Sequence, residues 1–154
     1  MIDQQSKIRH DLAKKFVELI PYNQTLGMRL HATDAQWCAL ELPYRQDLVG
    51  NPETGVLHGG VITALQDVAF GLAILSQQAK FRPIATLDLR IDYLKPATPG
   101  KSVYAGAVCY KTTSQFAFVR GATYHDTPDD PIATSVGIFM FTGVAVAEAT
   151  RGKR

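Results

Sequence analysis

From Val61 to Ser76 the chain is apolar on nearly every side, rich in Ala and Leu, without proline and with one glycine. That pattern predicts a helix of about four turns. A helix that is hydrophobic all round has to be enclosed. Gln66 and Asp67 interrupt the run too early for a membrane span, so the enclosure is expected to be protein. Gly59-Gly60 is expected to let the chain turn just before the helix, leaving the unpaired N–H groups of its first turn facing the preceding loop.

The remaining patterns arrange themselves around this helix. From Ser6 to Ile20, Ile8, Leu12, Phe16, Leu19 and Ile20 share one side and Lys7, Asp11, Lys14, Lys15 and Glu18 the other, predicting a short amphipathic helix stopped by Pro21. It is expected to pack on the domain or a neighbouring subunit as a lid or a brace. Met28 to Tyr44 alternates around Trp37–Leu42 and ends at Pro43, which predicts a first strand. Arg45 to Leu57, with Gly50, Pro52 and Gly55, predicts a long loop. Ile84 to Leu94 alternates, with Thr86, Asp88, Arg90 and Asp92 on one face and Leu87, Leu89, Ile91 and Tyr93 on the other, as a half-exposed antiparallel strand does. Three more strands are predicted, Ser102–Lys111, Ser114–His125 and Ile132–Thr142, separated by turns rich in Pro, Gly and Asp.

One strand, one buried helix and four further strands define an α+β domain in which a twisted antiparallel sheet wraps a single helix. The domain is placed at residues 21–145, after an N-terminal helix at 1–20 and before a basic tail at 146–154 that ends Arg151-Gly152-Lys153-Arg154. A sheet on one side of a helix leaves an edge open. Pairing of edge strands in a dimer is the economical way to cover it.

Composition narrows the functional classes. With 46% hydrophobic residues, 19% charged residues and a net charge of +2, the chain is neither disordered nor drawn to polyanions by bulk charge. No nucleic-acid or membrane partner is expected. Cys38 and Cys109 fall in strand-like runs without metal-ligand spacing, so they read as buried thiols in a reducing compartment, and no metal or cofactor is expected. The first eighteen residues carry charges throughout and lack a continuous apolar core of a leader, which points to the cytoplasm.

The chemistry gathers at Asn51-Pro52-Glu53-Thr54-Gly55-Val56-Leu57-His58-Gly59-Gly60-Val61, at Asp67 on the helix and at Thr86-Leu87-Asp88-Leu89 opening the next strand. With His-Gly-Gly followed by a helical Asp nine residues after the His, this set resembles the hotdog-fold thioesterases of the phenylacetate-pathway (PaaI-like) group, over about residues 20–145. The resemblance implies hydrolysis of an acyl-CoA thioester by a homodimer or a homotetramer, with sites at the subunit interface. It implies that Asp67 is the nucleophile or general base, that the Gly59 N–H meets the thioester carbonyl, and that Asn51 and Thr86 help to place water or substrate; His58, beside Gly59, is a candidate either for direct proton transfer or for shaping the loop. Thr86 stands where serine is often found and keeps the hydroxyl. Gly60, Arg90 and Lys95 are placed at the substrate, the two cations being drawn from the strand-end set Arg82, Arg90, Lys95, Lys101, Lys111 and Arg120.

The residues themselves fit this chemistry. A donor at the positive end of a buried helix stabilises the oxyanion that forms when a thioester is attacked, and glycine lets the carbonyl approach it. Asp67 lies too far along the helix to cap it, so it either meets hydrogen-bond donors or lines a wet pocket. Blander roles remain for each: Gly59 in a tight turn, His58 as a cap that shapes the loop, Thr86 as an ordinary strand threonine. Two rivals on the same fold are a hydratase, which needs an Asp–His pair not evident upstream of His58, and a non-hydrolytic acyl-CoA sensor, which needs no Asp67. Nine residues of helix would set His58 and Asp67 about 13 Å apart on opposite sides of the axis, so a site using both takes them from two subunits.

Overall fold

The computed structural model describes residues 4–78 and 81–143; the expected basic tail lies outside them. Helix α1 (Gln4–Leu19) buries Ala13 and Val17, and Phe16 comes against Gly71 of the central helix. Pro21 ends α1 as expected but also starts a helix that the sequence reading missed, α2 (Pro21–Leu26). Proline is preorganised for a first helical turn, and Gly27, at φ 74°, closes the last one in the left-handed conformation.

The expected first strand is two strands, β1 (Arg29–Thr33) and β2 (Trp37–Leu42), paired as a hairpin. Asp34 makes the break: its carboxylate accepts the N–H groups of Gln36 at 2.7 Å and Trp37 at 2.9 Å, folding the chain back on itself. The expected loop at 45–57 also holds structure, a single 3₁₀ turn (Gln46–Leu48) and a small ladder of β3 (Val49–Asn51) on β4 (Val56–Leu57). Helix α3 (Gly59–Ser76) follows, and the glycine pair is its first turn rather than the turn before it.

Strands β5 (Ile84–Tyr93), β6 (Val103–Thr112), β7 (Phe116–Tyr124) and β8 (Ala133–Phe141) complete an antiparallel sheet in the order β1-β2-β6-β7-β8-β5. The expected α+β architecture is therefore present, with α3 laid across one face of the sheet. Leu65, Phe70, Leu72 and Ile74 are fully buried there with Leu40, Leu42, Val103 and Val119. Each such side chain contributes about 1.5–3 kcal/mol by leaving water. Gln66, also fully buried, donates to the Gly106 carbonyl and accepts from the Thr123 hydroxyl, both at 3.4 Å. It reaches the sheet over Gly121, where a Cβ would lie 2.5 Å from its Nε2 and 2.3 Å from the Gly106 oxygen.

The enclosure of α3 is incomplete. By length and composition the helix could cross a membrane, but the sheet and α1 cover most of it. Between its two ends, a strip of Thr63, Ala64, Asp67 and Val68 is left half-buried. That strip faces the sheet edge at β5, where Leu87 is 54% and Tyr93 50% exposed.

Strand β5 corrects the expected alternation. A bulge at Leu87 pairs Thr86 with Phe139 and Asp88 with the next residue back, Ile138. One extra residue inverts the face that everything upstream presents. Thr86 therefore turns toward α3 with Leu89, Ile91 and Tyr93, while Asp88, Arg90 and Asp92 face away.

Candidate active site

Two groups of side chains lie along the open strip of α3. The first is at the helix N-terminus. His58 is the cap residue, with extended backbone (φ −63°, ψ 131°), and its Nδ1 accepts the Gly60 N–H at 2.9 Å. An accepting Nδ1 places the proton of the neutral ring on Nε2. The His58 carbonyl accepts the Val61 N–H at 3.0 Å, and the His58 N–H is donated to Leu48 in the preceding loop at 2.9 Å. The Gly59 N–H meets no acceptor among the described residues. It is thus a main-chain donor at the positive end of α3 with nothing to donate to, whereas the Gly60 N–H, expected at the substrate, is taken by His58.

The second group is two turns further on. Asp67 is half-buried, and one of its oxygens accepts the Thr86 hydroxyl at 2.8 Å across the gap between α3 and β5. The bulge at Leu87 makes this contact possible by turning Thr86 inward. The other carboxylate oxygen has no partner among the described residues. Eight residues of helix separate Asp67 from Gly59, about 12 Å along the axis, so within one chain the two groups cannot address the same carbonyl carbon.

Other expected residues fall at varying distances from this arrangement. Asn51 ends β3 and is exposed; its side-chain oxygen accepts the Glu53 N–H at 3.0 Å, which leaves its amide N–H groups without a partner among the described residues. Lys95 pairs with Asp130 and stands at the rim of a 320 Å³ hollow lined also by Val56, Gly59, Ile62 and Tyr93. Arg90 projects from the opposite face of β5, paired with Asp92 at 3.1 Å. Arg82 donates to the Ser114 carbonyl and lies over the Phe141 ring, Lys101 pairs with Asp126, and Arg120 lies over Tyr110.

Tyr93 was missed by sequence reasoning. Its hydroxyl donates to the Gly59 carbonyl at 2.6 Å and lies 2.9 Å from the Thr63 hydroxyl, which is itself 3.3 Å from that carbonyl. Its signal was its place on the apolar side of β5, which reads as packing rather than as a polar contact. Neither cysteine joins the site. Cys38 is buried and donates to the Ala69 carbonyl, and burial, with Asp34 adding to it, pushes its thiol up to about 12; Cys109 is raised by burial as well.

An antiparallel sheet wrapped on one long helix defines the class by its architecture, the hotdog fold. Residues 54–132 match the thioesterase superfamily. The chain belongs to that family, and it is a thioester hydrolase. It is 31% identical over 142 residues to the medium/long-chain acyl-CoA thioesterase YigI of Salmonella typhimurium, covering 84% of this chain and 90% of the relative. Among solved structures it is similar to a Pseudomonas aeruginosa protein, at 44% identity and a TM-score of 0.78, over 86% of this chain and 98% of the other. The Escherichia coli PaaI protein of the phenylacetic acid degradation operon shares the fold, with a TM-score of 0.77 at 18% identity over 96% of this chain and all of the other, 100%.

Proposed function

We propose that this thioesterase hydrolyses acyl-CoA, of medium to long chain, in an active site shared by two subunits. The Gly59 N–H of one subunit polarises the thioester carbonyl, and Asp67 of the other acts as nucleophile or general base. The observation that carries this reading is the pairing of an unoccupied Gly59 N–H with a carboxylate about 12 Å along the same helix. A two-fold axis beside the open strip of α3 and the free edge of β5 brings one of each together twice. The half-buried Ala64 and Val68 and the exposed Leu87 supply apolar surface for that contact.

In this site the Thr86 hydroxyl holds one oxygen of Asp67 and leaves the other for the reaction. As water, or the carboxylate itself, adds to the carbonyl carbon, negative charge grows on the carbonyl oxygen and the Gly59 N–H meets it. The C–S bond then breaks and the thiolate of coenzyme A leaves. If water added, the thiolate takes the proton that Asp67 had drawn from that water, and the acid is formed. If Asp67 added, water hydrolyses the mixed anhydride left on Asp67, releasing the acid, restoring the carboxylate and supplying the thiolate's proton. Asn51 has amide N–H groups free to hold water or substrate, and His58 supports Gly59 by engaging its neighbour. Lys95, at the rim of the hollow beside Gly59, is our candidate for a phosphate of coenzyme A; Arg90, on the far face, is not. The likeness to the medium/long-chain acyl-CoA thioesterase YigI supports the substrate class, and it suits a hollow lined mainly by apolar residues. Two free, buried thiols accord with a reducing compartment, and we place the enzyme in the cytoplasm as a homodimer or a dimer of dimers.

Subunit mixing tests the shared site. Asp67→Asn and His58→Ala are each expected to inactivate the homodimer. Co-refolded in equal amounts they give about half hybrids by random pairing in a closed two-fold assembly, and each hybrid has one doubly damaged site and one with every native group. Thiol release from decanoyl-CoA should return to about a quarter of the native value. Verified hybrids without activity would place the site within one chain and defeat the proposal.

A further inference from the structure

We infer that Tyr93 is a positioning residue for catalysis: together with His58 it clamps the peptide between Gly59 and Gly60 and so aims the Gly59 N–H. This rests on the reading of that N–H as the donor to the thioester carbonyl. The difficulty it resolves is local. Two successive glycines have no Cβ to restrict φ and ψ, and they form the first turn of α3, where the amides have no helical partners. A donor on such a segment would wander unless something held it.

The holding groups grip one planar unit from both ends. The Gly59 carbonyl and the Gly60 N–H belong to the same peptide, whose atoms move as a plane. At the oxygen the Tyr93 hydroxyl donates at 2.6 Å; at the nitrogen, His58 Nδ1 accepts at 2.9 Å. With that plane fixed, the direction of the Gly59 N–H depends on the ψ and φ of Gly59, and the peptide that carries it is held from the other side by the Val61 N–H on the His58 carbonyl at 3.0 Å. The Thr63 hydroxyl lies 2.9 Å from Tyr93 Oη and 3.3 Å from the same Gly59 carbonyl, so it is a second, longer donor at that oxygen beside the tyrosine.

Packing agrees with the hydrogen bonds. A Cβ on Gly59 would lie 3.3 Å from Tyr93 Oη and 3.4 Å from Cζ, so the ring rests against the glycine and leaves little space for any other residue there. Tyr93 is half-exposed, and both its hydroxyl and the ring edge at Cζ and Cε1 lie against the glycine, so Tyr93→Phe removes the clamping hydroxyl while keeping the ring's share of the packing. Strand β5 then serves both halves of the chemistry, since Thr86 at one end holds Asp67 and Tyr93 at the other holds Gly59.

The test separates this inference from the reading it rests on. Tyr93→Phe should lower kcat on decanoyl-CoA by roughly 10–10²-fold, the scale of a misplaced catalytic group, with KM within about twofold and the melting temperature unchanged. A merely structural tyrosine would lower stability and spare the turnover of the folded fraction. The second readout is the infrared carbonyl stretch of ¹³C-labelled decanoyl-CoA bound at saturation to the Asp67→Asn enzyme. Hydrogen bonding from Gly59 should lower that frequency relative to the ester in water, and Asp67→Asn/Tyr93→Phe should return it toward the solution value. A lowered frequency that persists in the double variant would overturn the role of Tyr93 alone. No lowering in Asp67→Asn itself would overturn the Gly59 reading and the inference with it. Unchanged kcat in Tyr93→Phe would also overturn the inference.

Discussion

Replacing Thr86 by valine keeps the shape of the side chain and deletes the hydroxyl that donates to Asp67 at 2.8 Å. A hydrogen bond to a charged group is worth about 1.5–3 kcal/mol. Asp67 is half-buried rather than enclosed, so the lower part of that range applies in one chain and the upper part once a second subunit covers it. If the bond acts by fixing the carboxylate for reaction, its loss should appear in kcat as roughly a 10–10²-fold fall. Thr86→Ser keeps the hydroxyl and should stay within about threefold, a loss of side-chain packing rather than of the bond. The decisive comparison is a double-mutant cycle. Asp67→Asn alone should cut turnover by roughly 10²–10⁴-fold, the loss of a positioned proton acceptor. In that background Thr86→Val should cost less than about twofold more, because its effect runs through the carboxylate that is gone. Thiol release from decanoyl-CoA, followed colorimetrically at saturating substrate, gives all four rates. Native-like turnover in Thr86→Val, or the same factor lost with and without Asp67, would refute the coupling.

Two further predictions concern the scaffold. Gly121→Ala puts a Cβ 2.3 Å from the Gly106 oxygen on the neighbouring strand and 2.9 Å from Phe70, and strand backbone cannot swing aside as a side chain can; we expect a loss of about 3 kcal/mol and a melting temperature lower by roughly 10 °C, and a shift within about 2 °C would mean that the sheet relaxes there. Cys38, its thiol pushed up to about 12 by burial from an ordinary 9.0, should resist iodoacetamide in the native protein at alkaline pH and react after unfolding in urea. Because the unfolded thiol ionises first, its contribution to stability is complete below 9.0 and lost as pH climbs toward about 12, so urea midpoints should fall through that window; alkylation of folded protein would contradict the burial.

The parts of this fold that could be read from the sequence are those written in long repeats. The apolar run of α3 and the alternation of β6, β7 and β8 leave little choice of structure, and His58-Gly59-Gly60 marked where α3 begins and Asp67 the carboxylate of the candidate site on it. What escaped depends on single side chains. Asp34 folds one alternating stretch into two strands by capturing two backbone N–H groups, an event that leaves the alternation on both sides intact. Pro21 ends one helix and begins another, and only the short chain to Gly27 distinguishes the two outcomes. Tyr93 belongs to the apolar face of its strand by pattern and to the helix start by its hydroxyl, and periodicity carries no information on where one oxygen ends up.

The bulge in β5 also has an arithmetic consequence. Thr86 and Tyr93 are seven residues apart, and an odd interval in a regular strand points two side chains in opposite directions. Leu87, left over in the pairing with β8, absorbs one count and turns the odd interval into an even one. Both hydroxyls can then reach the same helix, one to Asp67 and the other to Gly59. Removing Leu87 would therefore not simply shorten an edge strand by one residue. It would force a choice of phase, in which the chain keeps either its grip on the carboxylate or its grip on the first peptide of the helix.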